Sequence, residues 1–200
     1  MNPIPVTLAG HHVRLEPLSL AHIEPMYAAA SDQELWRWTT THIASIDDMR
    51  AYVRAALEAQ RTGTALPFAT LDASTGEVIG STRFGNIDLA NHRVEIGWTW
   101  LRKDRQRTAC NTEAKYLMLR HAFEVLGCVR VELKTDALNE RSRAAILRIG
   151  AVEEGTLRAH LKTASGRMRD SVYYSILDCE WQAVRARLEA MLGRDAGVRT

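Results

Sequence analysis

The hydrophobic period of this chain changes along its length, and that change constrains the fold more than any single motif. From Leu20 to Leu57 apolar residues recur at helical spacing. Leu20, Ile23, Met26 and Tyr27 share one face after Ser19, and Met49, Tyr52, Val53, Ala56 and Leu57 share another after Ser45 and Asp47. Serine and aspartate at those points supply side-chain acceptors for the orphan N–H groups of a helix start. Between Leu66 and Leu101 the period falls to two. Leu66–Leu71, Val78–Ile87 and Val94–Leu101 read as strands, the first pair separated by the turn residues Asp72-Ala73-Ser74-Thr75-Gly76. Connections this short join antiparallel neighbours.

The second half alternates in type. Thr112 to about Leu126 carries Ala114, Leu117, Met118, Ala122 and Val125 at helical spacing, with Gly127 as the C-terminal cap. Val129, Val131 and Leu133 alternate with Arg130, Glu132 and Lys134 as a strand. A helix then runs from Asp136 or Asn139 to Ile149, followed by two strands, the last and stronger over Ser171–Leu177, and an amphipathic helix over about 179–192. With a first strand at Val13–Pro17, the order predicts an α/β (α+β) fold: a mixed, mostly antiparallel twisted sheet flanked by helices on both faces. No repeat or linker interrupts it, and 200 residues suit one domain.

Composition narrows the class. A net charge of +2 gives no broad nucleic-acid footprint. No apolar run reaches the roughly 20 residues of a membrane span. The start Met1-Asn2-Pro3-Ile4-Pro5 lacks the basic-then-apolar pattern of a signal peptide. Cys110, Cys128 and Cys179 form no CxxC pair and read as free thiols in a reducing compartment, so a cytoplasmic location is expected. The histidines show no metal-ligand spacing, and no metal is expected.

The informative segment is Val94-Glu95-Ile96-Gly97-Trp98-Thr99-Trp100-Leu101 followed by Gln106-Arg107-Thr108-Ala109-Cys110-Asn111-Thr112-Glu113-Ala114: a strand, a basic loop and a helix start. Unpaired N–H groups and a partial positive charge at a helix N-terminus can hold a phosphate, and Arg102, Lys103, Arg105 and Arg107 add charge. A merely capped helix with solvated basic residues is the alternative. The glycine spacing and GK[ST] ending of a Walker loop are absent.

This segment resembles the Q/R-x-x-G-x-G/A loop of the GNAT superfamily of N-acetyltransferases, with Gln106 in first position, Ala109 where the first glycine is usual, and Asn111 where Gly or Ala is usual. The likeness extends over most of the chain, through Val13-Arg14-Leu15-Glu16-Pro17-Leu18, Thr112-Glu113-Ala114, Asn139-Glu140-Arg141-Ser142 and Gly166-Arg167-Met168-Arg169-Asp170. It is nearest to the branch resembling N-terminal acetyltransferases of ribosomal proteins. The resemblance implies acetyl-CoA as cosubstrate, held by the loop residues Gln106, Arg107, Thr108, Ala109, Cys110, Asn111 and Thr112. Asn111 is also suited to capping the helix. Backbone donors around Trp98, Trp100 and Leu101 would face the thioester carbonyl in a gap between splayed strands. Asn139 would bond the pantetheine arm and Ser142 donate toward the thiolate, although N-x-x-S is also an ordinary capping signature.

Transfer to an amine needs a base, because an ammonium cannot attack a carbonyl. Glu95 is the first candidate, placed where several GNAT enzymes carry a catalytic carboxylate. Simple alternation puts it on one face with Gly97 and Thr99, opposite Ile96 and Trp98. Glu132 is the second, beside Arg130 and Lys134. Trp36 and Trp38 fall in the region this superfamily uses as a substrate wall, and Phe84 and Trp98 add aromatic surface, with core burial as the alternative. The acceptor expected is a peptide N-terminus or a small primary amine, used by direct transfer in a ternary complex. No nucleic-acid or membrane partner is expected, and the last helix could support a homodimer. The reading from another class is a non-catalytic acyl-CoA-binding or sensing module.

Overall fold

The computed structural model describes the backbone of residues 1–196 and side chains through residue 193. Its strands are β1 (Leu8–Ala9), β2 (Val13–Pro17), β3 (Leu66–Asp72), β4 (Val78–Asp88), β5 (Arg93–Leu101), β6 (Arg130–Asp136), β7 (Val152–Lys162) and β8 (Met168–Leu177). Its helices are α1 (Ile23–Ala29), α2 (Ile46–Arg61), α3 (Ala109–Arg120), α4 (Glu140–Arg148) and α5 (Trp181–Ala196). The strands form one sheet in the order β1-β2-β3-β4-β5-β6-β8-β7, antiparallel except for the β5–β6 pair.

Apolar alternation buries side chains on both faces of the sheet. On one face Phe68, Phe84, Val94, Ile96, Val131, Leu133 and Tyr174 meet Leu117 and Met118 of α3 and Trp181, Val184 and Leu188 of α5. On the other, Ala69, Leu71, Val78 and Trp100 meet Ile23 and Met26 of α1 and Met49, Val53 and Ala56 of α2. The mixed sheet with helices on both faces is the architecture the hydrophobic period predicts. Ser45 caps α2 as expected, its hydroxyl accepting from the Asp48 N–H while the Asp48 carboxylate takes the Ser45 N–H.

The differences have local causes. The α3 helix begins at Ala109, earlier than Thr112, because the Thr108 side chain caps it by accepting from the Cys110 N–H. Asn111 therefore lies in the first turn and does not cap. A π turn over His121–Val125 follows α3 and swings Val125 to 69% exposure, although its spacing predicts an inward side chain. The long β7 has no clear signature, since Val152–Thr156 and their neighbours are exposed on the sheet edge and need no apolar face.

Glu113 fixes how the amino-terminal strands dock. Its buried carboxylate accepts the N–H groups of His11 (2.9 Å), His12 (2.6 Å) and Val13 (2.8 Å). The carboxylate presses against Gly10, where an added Cβ would lie 2.4 Å from its carbon. Only glycine fits there.

Candidate active site

The site begins with a bulge in β5. Gly97 pairs with Arg83 and Trp100 with Ser81, so Trp98 and Thr99 together stand opposite Thr82. Trp98 absorbs the extra residue at φ +51°, in the left-handed region. The face of every later side chain in the strand is thereby reversed. Simple alternation groups Glu95 with Thr99 and sets Trp98 opposite. In the structure Trp98 joins Glu95, its ring lying across Gly85 where a Cβ would come within 2.2 Å. Thr99 points the other way, toward α3, with its hydroxyl 2.8 Å from Lys115 Nζ and 2.8 Å from Thr82 Oγ1.

Beside the bulge the sheet opens. The parallel ladder runs only through Arg93↔Arg130, Val94↔Val131 and Glu95↔Glu132, whereas β5 continues to Leu101 and β6 to Asp136. Beyond Glu95 that edge of β5 has no neighbouring strand among the described residues, which matches the gap implied by the resemblance. The loop after β5 leads into α3, and its positive φ (+61°) falls on Arg107. Ala109 and Asn111, which replace the family's usual small residues, sit inside the first helical turn and need no unusual dihedral. The early N–H groups of α3 carry the partial positive charge of the helix start. Ala109 and Cys110 bury their side chains, and the Thr112 hydroxyl accepts from Arg148 (3.0 Å), so these positions offer backbone rather than side-chain contacts. Gln106 braces the loop: its Nε2 donates to the Leu101 carbonyl (2.8 Å) and its Oε1 accepts from Arg141 (3.0 Å). Gln106, Arg141 and Lys103 line a cavity of about 200 Å³ with Asp32, Glu34 and Leu35. Lys103 pairs with Asp32 (3.5 Å), so the donor N–H groups, the helix N-terminus and Arg141 are what suit a diphosphate.

Asn139 caps α4, its side chain accepting from the Ser142 N–H (3.1 Å). Among the described residues the Ser142 hydroxyl makes no hydrogen bond.

On the opposite side of the sheet, Glu95 is 2% exposed. Its Oε2 accepts from Lys134 (2.7 Å) and Asn86 (2.8 Å). Its Oε1 has no hydrogen-bond partner among the described residues and lies against Gly97, where a Cβ would approach to 2.9 Å. Glu132 differs: one of its oxygens takes both Arg93 (3.1 Å) and Arg130 (2.9 Å), and it stands at the last rung of the ladder. Those two guanidiniums share one oxygen and tie the carboxylate into an ion network at the end of the ladder, while its other oxygen has no hydrogen-bond partner among the described residues.

The aromatic candidates divide. Trp98, half-exposed, lines a cavity of about 380 Å³ with Tyr52, Arg83 and Thr40 to Ile43. Trp38 is partly buried, with the Arg37 and Arg167 guanidiniums over its ring. Trp36 is not a substrate wall. It is buried on Trp100, ring centroids 5.6 Å apart, with its indole N–H on the Ala30 carbonyl. Phe84 likewise packs on Phe68 and His121 within the core, because its register places it on the α3 face. Trp100 and Leu101 turn their side chains into the two cores, leaving only backbone for the gap.

Burial shapes the titration of this region. It pushes the Lys115 ammonium down to about 7, since a cation enclosed between α3 and the sheet has lost its water. Burial also lowers Arg169, and it lowers His160, helped by nearby Lys134 and Arg169. Lys134, Arg83, Asn86 and Lys115 carry no motif. Their signal in the sequence is only a polar residue recurring inside an otherwise buried strand or helix.

Comparison with known proteins supplies the context for this geometry. The family described as "Acetyltransferase (GNAT) domain" matches residues 12–152. YdaF of Bacillus subtilis (strain 168), provisionally named a ribosomal N-acetyltransferase, is 37% identical over 107 residues, 54% of this chain and 57% of its own length. The chain thus spans a little over half of that relative. A solved protein of T. thermophilus, provisionally described as an acetyltransferase, superposes with a TM-score of 0.87 at 39% identity, covering 96% of this chain and all of the other. Mycobacterium smegmatis RimJ in complex with CoA-disulfide shares the fold at a TM-score of 0.82 and 24% identity, covering 94% and 95% of the two chains. No described helix is long and apolar enough to cross a membrane.

Proposed function

The chain belongs to the GNAT acetyltransferase family, and on that premise we propose that it moves an acetyl group from acetyl-CoA directly to a primary amine, with a peptide N-terminus as the leading acceptor class. The observation that carries this reading is the opening between β5 and β6 beyond Glu95, set between the start of α3 and a carboxylate with one free oxygen. We read residues 1–200 as one catalytic domain, since both apolar clusters share a single sheet.

Bound acetyl-CoA would supply the thioester. Gln106, Arg107, Thr108 and the N–H groups of Ala109, Cys110 and Asn111 would hold its diphosphate, with Arg141 beside them. Asn139, Ser142 and the free edge of β5 from Trp98 to Leu101 would line the arm. Glu95 Oε1 accepts the proton of the incoming ammonium, directly or through a water, while Lys134 and Asn86 hold Oε2 still. The amine nitrogen then bonds to the acetyl carbon and the C–S bond breaks; the nitrogen gives up its second proton as the thiolate gains one, and the Ser142 hydroxyl would donate to sulfur and recover a proton from the nitrogen or from solvent. Glu132 has no part in this scheme. The name of YdaF, a ribosomal N-acetyltransferase, favours a ribosomal protein as acceptor.

Calorimetric titration with acetyl-CoA and then with free coenzyme A tests the first half. Micromolar affinity at one site per chain is expected. Mass spectrometry of N-terminal peptides and small amines incubated with protein and acetyl-CoA tests the second. No binding at millimolar coenzyme would end the reading.

A further inference from the structure

Arg83 sits in β4 at 7% exposure, yet among the described residues its side chain forms no ion pair or hydrogen bond, and its Nε is fully enclosed without a partner. Its guanidinium carbon lies 5.1 Å from the Tyr52 ring centroid and 5.0 Å from that of Trp98. The rings offset part of the charge, but they offer no lone pairs to the N–H fork. A cation this far out of water is costly unless its N–H groups are satisfied. The side chain also borders the cavity of about 380 Å³ between α2 and the sheet.

We propose that Arg83 is the recognition residue for a carboxylate carried by the acceptor; this rests on the acetyl-transfer reading. The planar fork matches a carboxylate in two parallel hydrogen bonds. Apart from His42, Arg83 is the one basic residue among those lining that cavity, and a single planar fork, rather than a cluster of cations, suits a carboxylate better than a phosphate dianion. The one carboxylate in the lining, Asp48, is turned to the start of α2, where it accepts from the Ala44 and Ser45 N–H groups and the Ser45 hydroxyl. Thr40 and Thr41 also line the cavity. Trp98 links this subsite to the chemistry, since its ring also lies 5.8 Å from Lys134 Nζ, the group that holds Glu95. A carboxylate on Arg83 would anchor an acceptor whose amine is presented at Glu95.

Two sources share that chemistry: an acidic side chain next to a peptide N-terminus, and the α-carboxylate of a free amino acid. Binding of inert product analogues separates them without requiring turnover. Calorimetry would compare N-acetylated dipeptide amides of serine–glutamate and serine–glutamine, then N-acetylserine and N-acetylserinamide, on the wild-type protein, Arg83→Met and Arg83→Lys. Wild-type protein should favour the charged member of one pair by about tenfold or more, as expected of a charge-assisted bidentate contact. The pair showing the preference identifies the source. Arg83→Met should abolish it and Arg83→Lys reduce it, while the melting temperature and acetyl-CoA affinity stay near wild type. Equal affinity within both pairs, or a preference that survives Arg83→Met, overturns the proposal. A protein that binds the charged analogue but acetylates nothing would overturn the acetyl-transfer reading and leave this subsite standing.

Discussion

Lys134 Nζ lies 2.7 Å from Glu95 Oε2, joining β6 to β5 at the point where the two strands part. The contact occupies one carboxylate oxygen and leaves the other toward Gly97, so the ion pair positions the proposed base without covering it.

Glu95→Gln keeps the shape and the Asn86 contact but cannot accept a proton. Turnover should fall by about 10²–10⁴-fold with acetyl-CoA affinity nearly unchanged, as for loss of a general base. Steady-state rates across pH, paired with calorimetry, check this. Unchanged turnover at every pH would remove Glu95 from the chemistry.

Gly85→Ala places a methyl group where the Trp98 ring lies, 2.2 Å away. The ring must move, at a cost of about 1–3 kcal/mol. Because the Trp98 ring walls the acceptor side, whereas only the backbone of this strand faces the coenzyme arm, the acceptor KM should rise while the Kd for acetyl-CoA holds. A parallel loss of coenzyme binding would count against this division of the site.

Ala109→Gly restores the residue usual for the family's loop. Since Ala109 is the first residue of α3 and has a helical backbone, glycine gains nothing there and adds entropy to the unfolded loop. Acetyl-CoA affinity should stay within a fewfold of wild type or weaken. A tenfold gain would show that the alanine obstructs the diphosphate.

Glu113→Ala strands three N–H groups at His11, His12 and Val13. A loss of about 3 kcal/mol or more in urea unfolding is expected, since bonds to a charged acceptor contribute about 1.5–3 kcal/mol each. A change below 1 kcal/mol, taken as about the net worth of a single ordinary hydrogen bond, would mean that water replaces the carboxylate.

Lys115 makes stability depend on pH. Its pKa is about 7 when folded against 10.5 for the free side chain. Between those values the unfolded chain binds more protons than the folded one, so stability rises with pH. The charged form opposes folding below about 7, and that penalty fades as pH approaches 10.5. Relative to Lys115→Met, the wild type should gain about 1.4 kcal/mol per pH unit through the middle of this window. Parallel denaturation curves for the two proteins would show a constant difference if Lys115 titrated normally.

Much of the fold was legible because its cues are local. Ser45 before the Met49–Leu57 stripe specifies a capped amphipathic helix, and the run from Leu66 to Leu101 with its turn specifies a meander. Edge strand β7 was legible only as a strand in the order of elements and not in its bounds, because an element exposed on both faces carries no period. Trp36 and Phe84 looked like pocket aromatics and are core, since composition cannot tell an aromatic facing a helix from one facing a cleft.

The sequence by itself determined the order of elements, the two-faced sheet and the loop-to-helix start that suits a diphosphate, each encoded within a window of a few residues. Tertiary structure alone decided which side chains meet. One residue at positive φ, Trp98, reverses the faces of β5 and brings an indole rather than a threonine to Glu95. Lys134 reaches Glu95 from 39 positions away, and Arg83 is left without a counter-ion among the described residues because the elements around it supply rings. Bulges and long-range partners depend on strand register, a property of the assembled sheet that no local stretch of sequence contains.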